Sequence, residues 1–476
     1  MNPRQWELYA AYGGLTAGDV SRIMGDRNLS AYSRSKLLAT ALAVPAAKEL
    51  ARLDYKSLIE GERGRRLYTD THIQEGLGWL ERLDLERSLF EGFPVLPRYS
   101  FALELGFQLA RPYLSRDDGA FYIIDNPVRK DKVLKIPFVA PASWKGSLRS
   151  AATRGLIRAL SEVAPQSLPD DEEERDKALL PAWVQRAHRV RLFGNEVKSQ
   201  ARFINRWLAM RLLRNEEDES EASHHKRVED LAGDLGGWFD AFLKEQHYRT
   251  EKIEGRRARL RFFPTFFDDI GLEIINPHDR QRRVGKNPIL LECVPAGAHG
   301  TFRLLYVPYD FPGQVTPTKS VLQQQLGADL PLVAEAVRDL LTVYGFGAKT
   351  SSGFGVADPR RVAGELRVNL LDESTNGAAG PGEALVRSLL RRDPLESRLR
   401  DDFFADGRFL AVDDDEIKKQ PWSGKVKADY RKVKPRVLEL VGEQPAGPAY
   451  FSRPVTDLNA LPGLAKELCG QVGGAG

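Results

Sequence analysis

Residues 121–158 read FYIIDNPVRKDKVLKIPFVAPASWKGSLRSAATRGLIR, and this stretch predicts a turn, an extended segment and then a helix. Its opening apolar run ends on Asp125-Asn126-Pro127, and an Asx-Pro sequence starts a turn and cannot continue a central strand. Further along, apolar residues recur at helical spacing from Leu148 to Leu160, which indicates one buried helix face. Ser143 is the predicted N-cap of that helix.

The first two turns of this helix carry two cations. Lys145 and Arg149 lie four residues apart, so their side chains point the same way. The helix dipole disfavours positive charge at this end, and an anion would relieve the conflict because backbone N–H groups and both side chains could hold it. A solvated basic face is the alternative interpretation. The position of the charges at a helix start favours a phosphate ligand.

A second segment, GFGAKTSSGFG at residues 345–355, follows a predicted amphipathic helix that runs from Leu332 to Tyr344. A P-loop is disfavoured because that motif needs a glycine at the position of Ala348. A P-loop also lies between a strand and a helix, whereas this segment follows a helix. Glycines can instead form a turn whose backbone N–H groups approach a phosphate, with a lysine adding charge. A glycine-rich turn without a ligand is the alternative. The candidate phosphate-contacting residues are Gly345, Gly347, Lys349, Gly353 and Gly355.

Both segments resemble the signature of RAMP-superfamily proteins, the RNA-binding subunits of CRISPR effector complexes. The resemblance is strongest to the backbone subunit of type III complexes, in which an aspartate-small-Pro-Val turn is followed by a Pro…Ser-x-Lys-Gly-x-x-Arg helix start. Residues 125–128 match the first part, and residues 143–149 match the second. Residues 345–355 resemble the glycine-rich loop of the family. One departure is Pro141-Ala142-Ser143-Trp144, where the family usually has Pro-Gly-Ser-Ser.

The resemblance implies that the chain holds guide RNA by its backbone, while guide–target pairing supplies specificity. It also implies that Asp125 is the carboxylate needed to cleave complementary target RNA. The ribose 2′-OH would attack the adjacent phosphate, and the carboxylate would recruit Mg²⁺ or another divalent cation, or accept the proton. Alternatively, Asp125 only caps the turn. Asp117 and Asp118 are second choices.

Several functions stay open on the sequence. The chain is either an endoribonuclease subunit that also binds guide RNA, or a non-catalytic scaffold or capping subunit of the same assembly. A processing endoribonuclease for the precursor guide is less favoured, because such enzymes often use a histidine and none of the 7 here has a recognisable setting. The Gly-Gly-Asp-Asp signature of the signalling polymerase subunit is absent from the sequence. The expected partners are guide RNA, complementary target RNA and other CRISPR effector subunits.

The order of strands and helices predicts an α+β protein. The alternating pattern from Tyr99 to Leu109 indicates a half-buried strand. The resemblance implies a RAMP-type ferredoxin-like (RRM-like) β-α-β-β-α-β core in two related halves, with helical insertions and extensions. The predicted domains are a helical extension at 1–95, the core at 96–362 with a charged helical insertion at about 161–255, and a linker with a basic helical extension at 363–476.

Two other segments carry predictions. Residues 289–294 and 301–307 are strand-like and joined by Pro295-Ala296-Gly297, so they predict a hairpin. Residues 418–436 are basic and contain Trp422 and Tyr430, which could stack the bases of a single strand. A solvated helix is the alternative for that basic segment.

The composition is that of an ordinary soluble globular protein, with 42% hydrophobic and 29% charged residues. No apolar run approaches the ~20 residues needed to cross a membrane, and no signal peptide is evident, so a cytoplasmic protein is expected. Cys293 and Cys469 are too few for a disulfide framework or a cysteine-based zinc site. Because the net charge is only +4, local basic patches rather than overall charge would have to hold a polyanion.

Overall fold

The structure of the protein is a computed structural model. It describes residues 17–26, 28–40, 45–61, 65–91, 93, 96–117, 123–124, 126–213, 220–246, 248, 257–276, 278–279, 284–285, 289–308, 318–369, 386–387, 390–391, 393–405, 408–410, 414–441 and 450–474.

The described α-helices are, in chain order, α1 (Ala17–Gly25), α2 (Ala31–Thr40), α3 (Pro45–Glu60), α4 (Gln74–Arg82), α5 (Pro141–Val163), α6 (Glu172–Phe193), α7 (Lys198–Leu212), α8 (Glu221–Glu245), α9 (Lys319–Asp339), α10 (Asp414–Lys419), α11 (Gly424–Val441) and α12 (Leu461–Gly474). A π-helical turn, Leu340–Tyr344, continues α9. None of these helices is both long and apolar enough to span a membrane.

The described strands are β1 (Phe101–Leu109), β2 (Phe138–Val139), β3 (Leu260–Phe262), β4 (Thr265–Phe266), β5 (Gly271–Ile275), β6 (His278–Asp279), β7 (Val284–Gly285), β8 (Ile289–Cys293), β9 (His299–Tyr306), β10 (Ala357–Asn369), β11 (Phe404–Ala405), β12 (Arg408–Phe409) and β13 (Tyr450–Val455).

A five-stranded sheet lies at the centre of the molecule, with strand order β13-β10-β1-β9-β3 and every neighbouring pair antiparallel. The chain passes through β1, α5, β3, β9, α9 and β10, so β10 returns to lie beside β1. The α+β class predicted from the sequence is confirmed. The other sheets of the described residues are two-stranded, and a second half related to the first stays a prediction.

Helices α5 and α9 cover one face of this sheet. The predicted alternation in β1 is present, because Leu103, Leu105 and Phe107 are buried on that face. The ring of Trp144 in α5 packs edge to face on Phe302 of β9, with centroids 4.9 Å apart. Burial of such apolar surface contributes about 25 cal/mol per Å², so this layer supplies the main core of the fold.

Strand β8 does not form the predicted hairpin with β9. It pairs with β5, where Gly271 lies opposite Cys293. Strand β9 pairs with β1 along one edge, and β3 pairs with residues 304–306 of its other edge. The turn at Pro295-Ala296-Gly297 therefore carries the chain from one sheet to another.

The segments outside the sheet form further hydrophobic clusters. Helices α6, α7 and α8 share one with the end of α5. In the C-terminal region Tyr430 is fully buried and packs with Trp422 and Phe403, so the predicted stacking of a base on Tyr430 is wrong. Trp422 is half-buried, and its stacking on a base stays a prediction. Strand β13 and helix α12 join the main core, and the domain boundary predicted at residue 362 falls inside β10.

A buried ion pair ties the insertion to the core. Arg191, near the end of α6, donates from Nε to Asp329 Oδ2 at 2.8 Å and from Nη2 to Oδ1 at 2.6 Å. Tyr306 of β9 donates to the same carboxylate at 2.9 Å. Because both ionic partners are almost completely buried, neither charge can be solvated if the other is removed.

We predict that Arg191→Met destabilises the protein by about 3–5 kcal/mol, because it leaves Asp329 buried without its charged partner. The urea midpoint of unfolding measures the effect. The matched control is Arg202→Met, which breaks a surface pair with Glu229 and should change stability by about 1 kcal/mol or less. Equal midpoints for the two variants would contradict the assigned role of the buried pair.

Candidate nucleic-acid interface

The basic helix start predicted from the sequence is present, but its cap differs. Helix α5 begins at Pro141, and Ala140 is its N-cap, with no side chain capping the first turn. Ser143 therefore lies in the first turn, and its prediction as N-cap was wrong. Proline is suited to the first helical position because its φ is already helical and it has no N–H to satisfy. Strand β2 leads directly into this start.

An aromatic contact joins the helix start to the glycine-rich segment. The ring centroids of Trp144 and Phe346 are 4.5 Å apart, and both residues are buried. Tyr113 and Phe107 also contact the Phe346 ring, at 5.2 and 6.0 Å. Trp144 donates from its indole nitrogen to Thr265 Oγ1 at 2.9 Å, which satisfies its polar atom. The two sequence motifs, about two hundred residues apart in the chain, thus meet in the structure.

The glycine-rich loop, residues 345–355, is attached to the segment that follows β1. Ala348 donates its N–H to the carbonyl of Leu114 at 2.7 Å, and Gly355 donates to the carbonyl of Pro112 at 2.8 Å. Gly345 donates to the carbonyl of Leu340 at 2.8 Å. These bonds fix both ends of the loop.

The glycines serve packing as well as any ligand. Backbone φ is positive at Gly345, Gly347, Gly353 and Gly355, and also at Lys349, where a side chain is strained. A Cβ at Gly355 would lie 2.0 Å from the Phe346 carbonyl oxygen, whereas a Cβ at Gly353 would meet nothing within 4 Å. The N–H groups of Gly345, Gly353 and Gly355 donate to protein carbonyls, so these three glycines shape the loop, and their contact with a phosphate stays a prediction. Gly347 and Lys349 are exposed and remain candidates.

Cations gather beside the start of α5. Burial lowers the pKa of the half-buried Lys145 ammonium, and Arg149 and Arg261 lower it further. Arg257 in turn lowers the pKa of Arg261, although burial is the larger cause. Within the described part of the chain, no acidic side chain pairs with Lys145. Glu196 offsets part of the charge of Arg149, and the remaining cluster of like charges is a position where an anion binds favourably.

Arg149 has a structural contact that the sequence did not reveal. It donates from Nη2 to the carbonyl of Phe193 at 2.8 Å, and its guanidinium carbon lies 5.8 Å from the Phe193 ring centroid. Its Nε is buried with no hydrogen-bond partner among the described residues. Arg149 therefore anchors α5 to the end of α6 and retains one unsatisfied donor.

Asp125, the predicted catalytic residue, lies outside the described residues, as does Asp118. The turn that follows it is firmly held. Asn126 bridges to Leu291 of β8, and Asp117 donates its N–H to the carbonyl of Pro127 at 3.1 Å. Since residues 112–117 contact both this turn and the glycine-rich loop, the two regions are neighbours.

A buried carboxylate fixes the same turn from the other side. Glu292 of β8 accepts the N–H of Val128 at 3.0 Å. It also accepts hydrogen bonds from the ammonium of Lys130 and the hydroxyl of Tyr55 in α3. Glu292 is 1% exposed, so this network is part of the core and links the N-terminal helices to the turn.

The predicted divalent cation has no site among the described residues, where no group of three or more His, Cys, Asp or Glu side chains could hold a metal ion. Asp117, a second choice for the catalytic carboxylate, accepts the backbone N–H of Lys130 at 3.4 Å. The cation therefore stays a prediction, and no chemical step is assigned to it.

Sequence reasoning missed three contributors to this region. Arg257 and Arg261 belong to no sequence motif, and Glu292 was assigned to a hairpin that does not form. Trp144 was noted as a departure from the family pattern, and the structure shows why a large aromatic stands there: it fills the space between α5 and the glycine-rich loop. The only sign in the sequence of this packing was the large side chain of Trp144 at a position where the family usually has serine.

The fold and this region define an α+β protein with a basic helix start packed against a glycine-rich loop. No protein-family model matches the sequence, and no curated protein matches it either.

Three chains from solved CRISPR complexes are similar in structure. A chain in the cryo-EM structure of the type III-B Cmr-beta bound to cognate target RNA is 10% identical, with 73% of this chain and 96% of that chain covered at a TM-score of 0.33. A chain of a CRISPR RNA-guided surveillance complex, pre-nicking, is 12% identical, with 78% of this chain and 100% of that chain covered at a TM-score of 0.30. A chain of a type IV-B CRISPR complex is 12% identical, with 54% of this chain and 89% of that chain covered at a TM-score of 0.26. These TM-scores do not establish a common fold.

We predict that Gly355→Ala destabilises the protein far more than Gly353→Ala. The added methyl group at position 355 would collide with the Phe346 carbonyl, whereas at position 353 only the positive φ is costly, at about 1–2 kcal/mol. Thermal unfolding measures both variants. If the two melt at the same temperature, the close packing of the loop against Phe346 is wrong.

Proposed function

We propose that this chain is a RAMP-superfamily subunit of a type III RNA-guided CRISPR effector complex and that it binds the backbone of guide RNA. The observation that supports the proposal is the Trp144–Phe346 contact, because it packs the helix start that carries Lys145 against the glycine-rich loop. Two elements that each suit a phosphate are thus joined in the fold.

The connectivity of the central sheet supports the ferredoxin-like assignment. Strand β1, helix α5, strands β3 and β9, helix α9 and strand β10 follow a β-α-β-β-α-β order. In space β10 and β9 flank β1, and β3 lies outside β9. This is the arrangement that the RAMP resemblance implies for the core.

The chemistry of the interface supports binding to RNA phosphates rather than to bases. The side chains gathered there are Lys145, Arg149, Arg257 and Arg261, all of them cations. Cations hold the sugar–phosphate backbone without reading sequence, so specificity would come from guide–target pairing.

Cleavage of target RNA by Asp125 is the finer part of the proposal. Its support is the rigidity of the adjoining turn, where Glu292 and Asp117 hold Pro127, Val128 and Lys130. In this proposal the Asp125 carboxylate accepts the proton of a ribose 2′-OH aligned for in-line attack. The alternative is a non-catalytic scaffold or capping subunit with the same RNA-binding surface.

We predict that Lys145→Ala weakens binding of guide RNA and lowers the slope of log K against log salt by about 0.7, as expected for one lost phosphate contact on a single strand. Lys145→Ala combined with Arg257→Ala should lower the slope by about twice that amount. Fluorescence anisotropy across a salt series measures both quantities.

Two variants control this experiment. Lys177→Ala removes an exposed lysine of α6 that pairs with Glu173, and it should leave affinity and slope unchanged. Lys145→Arg keeps the charge and should retain most of the affinity. An unchanged slope in Lys145→Ala would show that this lysine has no phosphate contact.

We predict that Asp125→Ala abolishes cleavage of complementary target RNA by the assembled complex and leaves guide RNA binding intact. Asp125→Asn, which keeps the shape of the side chain, should be equally inactive because it cannot accept the proton. Labelled target RNA incubated with the complex and magnesium measures cleavage. Wild-type cleavage by Asp125→Ala would assign the subunit to the scaffold class or move the catalytic role to another residue.

A further inference from the structure

A cleft of about 550 Å³ opens on the face of the central sheet that α5 and α9 do not cover. That volume lies within the range of small-molecule sites, ~300–1,000 Å³. Its floor is made of small residues from three adjacent strands: Gly106 of β1, Thr301 of β9 and Ala363 of β10. Gly106 lies opposite Thr301 on one side and opposite Ala363 on the other. Two half-buried apolar residues, Leu77 and Phe266, also line it.

A bulge in β10 forms one wall of the cleft. Phe107 pairs with Val362, but Leu109 pairs with Ala357, so residues 358–361 all lie opposite Gln108. Bulges of this kind redirect side chains and are common beside binding sites. Here the bulge brings both Arg360 and Arg361 to the cleft, although adjacent residues of a regular strand point to opposite faces.

The two arginines are available for an anion. Both are exposed, and Arg361 donates from Nη1 to Gln108 Oε1 at 2.9 Å. The Asp358 carboxylate accepts the backbone N–H of Arg360 at 2.9 Å and lies 3.9 Å from Arg361 Nε, so it holds the bulge but leaves most guanidinium donors uncommitted. Two adjacent guanidinium groups suit a phosphate, which accepts several hydrogen bonds at once.

A histidine–carboxylate pair forms the opposite wall. His299 lies opposite Gln108 in the register of β1 and β9. Asp268 accepts its backbone N–H at 2.7 Å and contacts its Nδ1 at 2.9 Å. In a neutral imidazole that donates from Nδ1 to Asp268, Nε2 is an acceptor, which can receive a hydrogen bond from a hydroxyl group. His299 is largely exposed, so core packing does not explain this pair.

The walls are separated by two strand spacings, about 10 Å. The cleft therefore offers cations on one side, a hydrogen-bond acceptor on the other, and apolar residues between them. Glu86 also lines the cleft, and its carboxylate is paired with Arg303 at 2.9 Å. A ligand that matches carries a phosphate, a hydroxyl-bearing unit and a flat apolar body.

We propose that this cleft binds a ribonucleoside phosphate. Arg360 and Arg361 hold the phosphate, His299 accepts a hydrogen bond from the ribose 2′-OH, and the base lies over Gly106 and Ala363 against Phe266. The ligand is either a free mononucleotide or the terminal nucleotide of an RNA strand, since both present the same groups. The site is separate from the interface at Lys145, which belongs to the helix-covered side of the sheet.

The test is isothermal titration of the purified full chain with ribonucleoside monophosphates and with a short RNA bearing a terminal phosphate. Saturable binding of either ligand is expected, and Arg360→Gln with Arg361→Gln should weaken it at least ten-fold. His299→Ala should remove the preference for a ribonucleotide over its deoxy counterpart. Binding of the mononucleotide identifies a free nucleotide as the ligand, and binding of the RNA alone identifies a strand end.

Three controls make the result decisive. Arg202→Gln, an exposed arginine on α7, should leave binding unchanged. Ala363→Phe should block the floor by size, which tests the site without altering its charges. Lys145→Ala should leave mononucleotide binding intact. The proposal is overturned if neither ligand binds, or if the arginine variant and the Ala363 variant both bind the ligands normally. It is also overturned if Lys145→Ala abolishes mononucleotide binding and the arginine and Ala363 variants do not.

Discussion

The contact between Trp144 and Phe346 is the constraint on which the proposed interface depends. It fastens the start of α5 to the glycine-rich loop, and the loop is in turn fastened to residues 112–114 by backbone hydrogen bonds. An aromatic pair of this kind adds about 0.5–1.5 kcal/mol beyond burial, which is enough to hold one geometry of a short loop.

In the glycine-rich loop, packing already uses backbone N–H groups that the proposed phosphate would also need. Glycine is required at position 355 because the Phe346 carbonyl leaves no room for a Cβ, and its N–H is already bonded. The charge that would attract a phosphate therefore comes mainly from side chains around Lys145, which repel one another when no anion is present. The loop shapes the surface, and the cations supply the attraction.

The two faces of the central sheet differ: one is covered by helices, and the other carries the cleft. The covered face places α5 and the glycine-rich loop together, while the uncovered face carries the cleft between His299 and Arg361. One strand, β1, supplies both, because Phe107 points to the core and its neighbours Gly106 and Gln108 point to the cleft. Alternation along a strand makes such a division possible.

The sequence by itself determined β1, the basic start of α5, the glycine-rich loop and the α+β class, because each depends on periodicity or backbone preference within one short segment. Only the tertiary structure decided that β8 pairs with β5, that Arg149 binds the Phe193 carbonyl and that Tyr430 lies in a core. It also decided that Asp268 holds His299. These depend on which distant segments compete for the same strand edge or cavity, and local patterns carry no information about that competition.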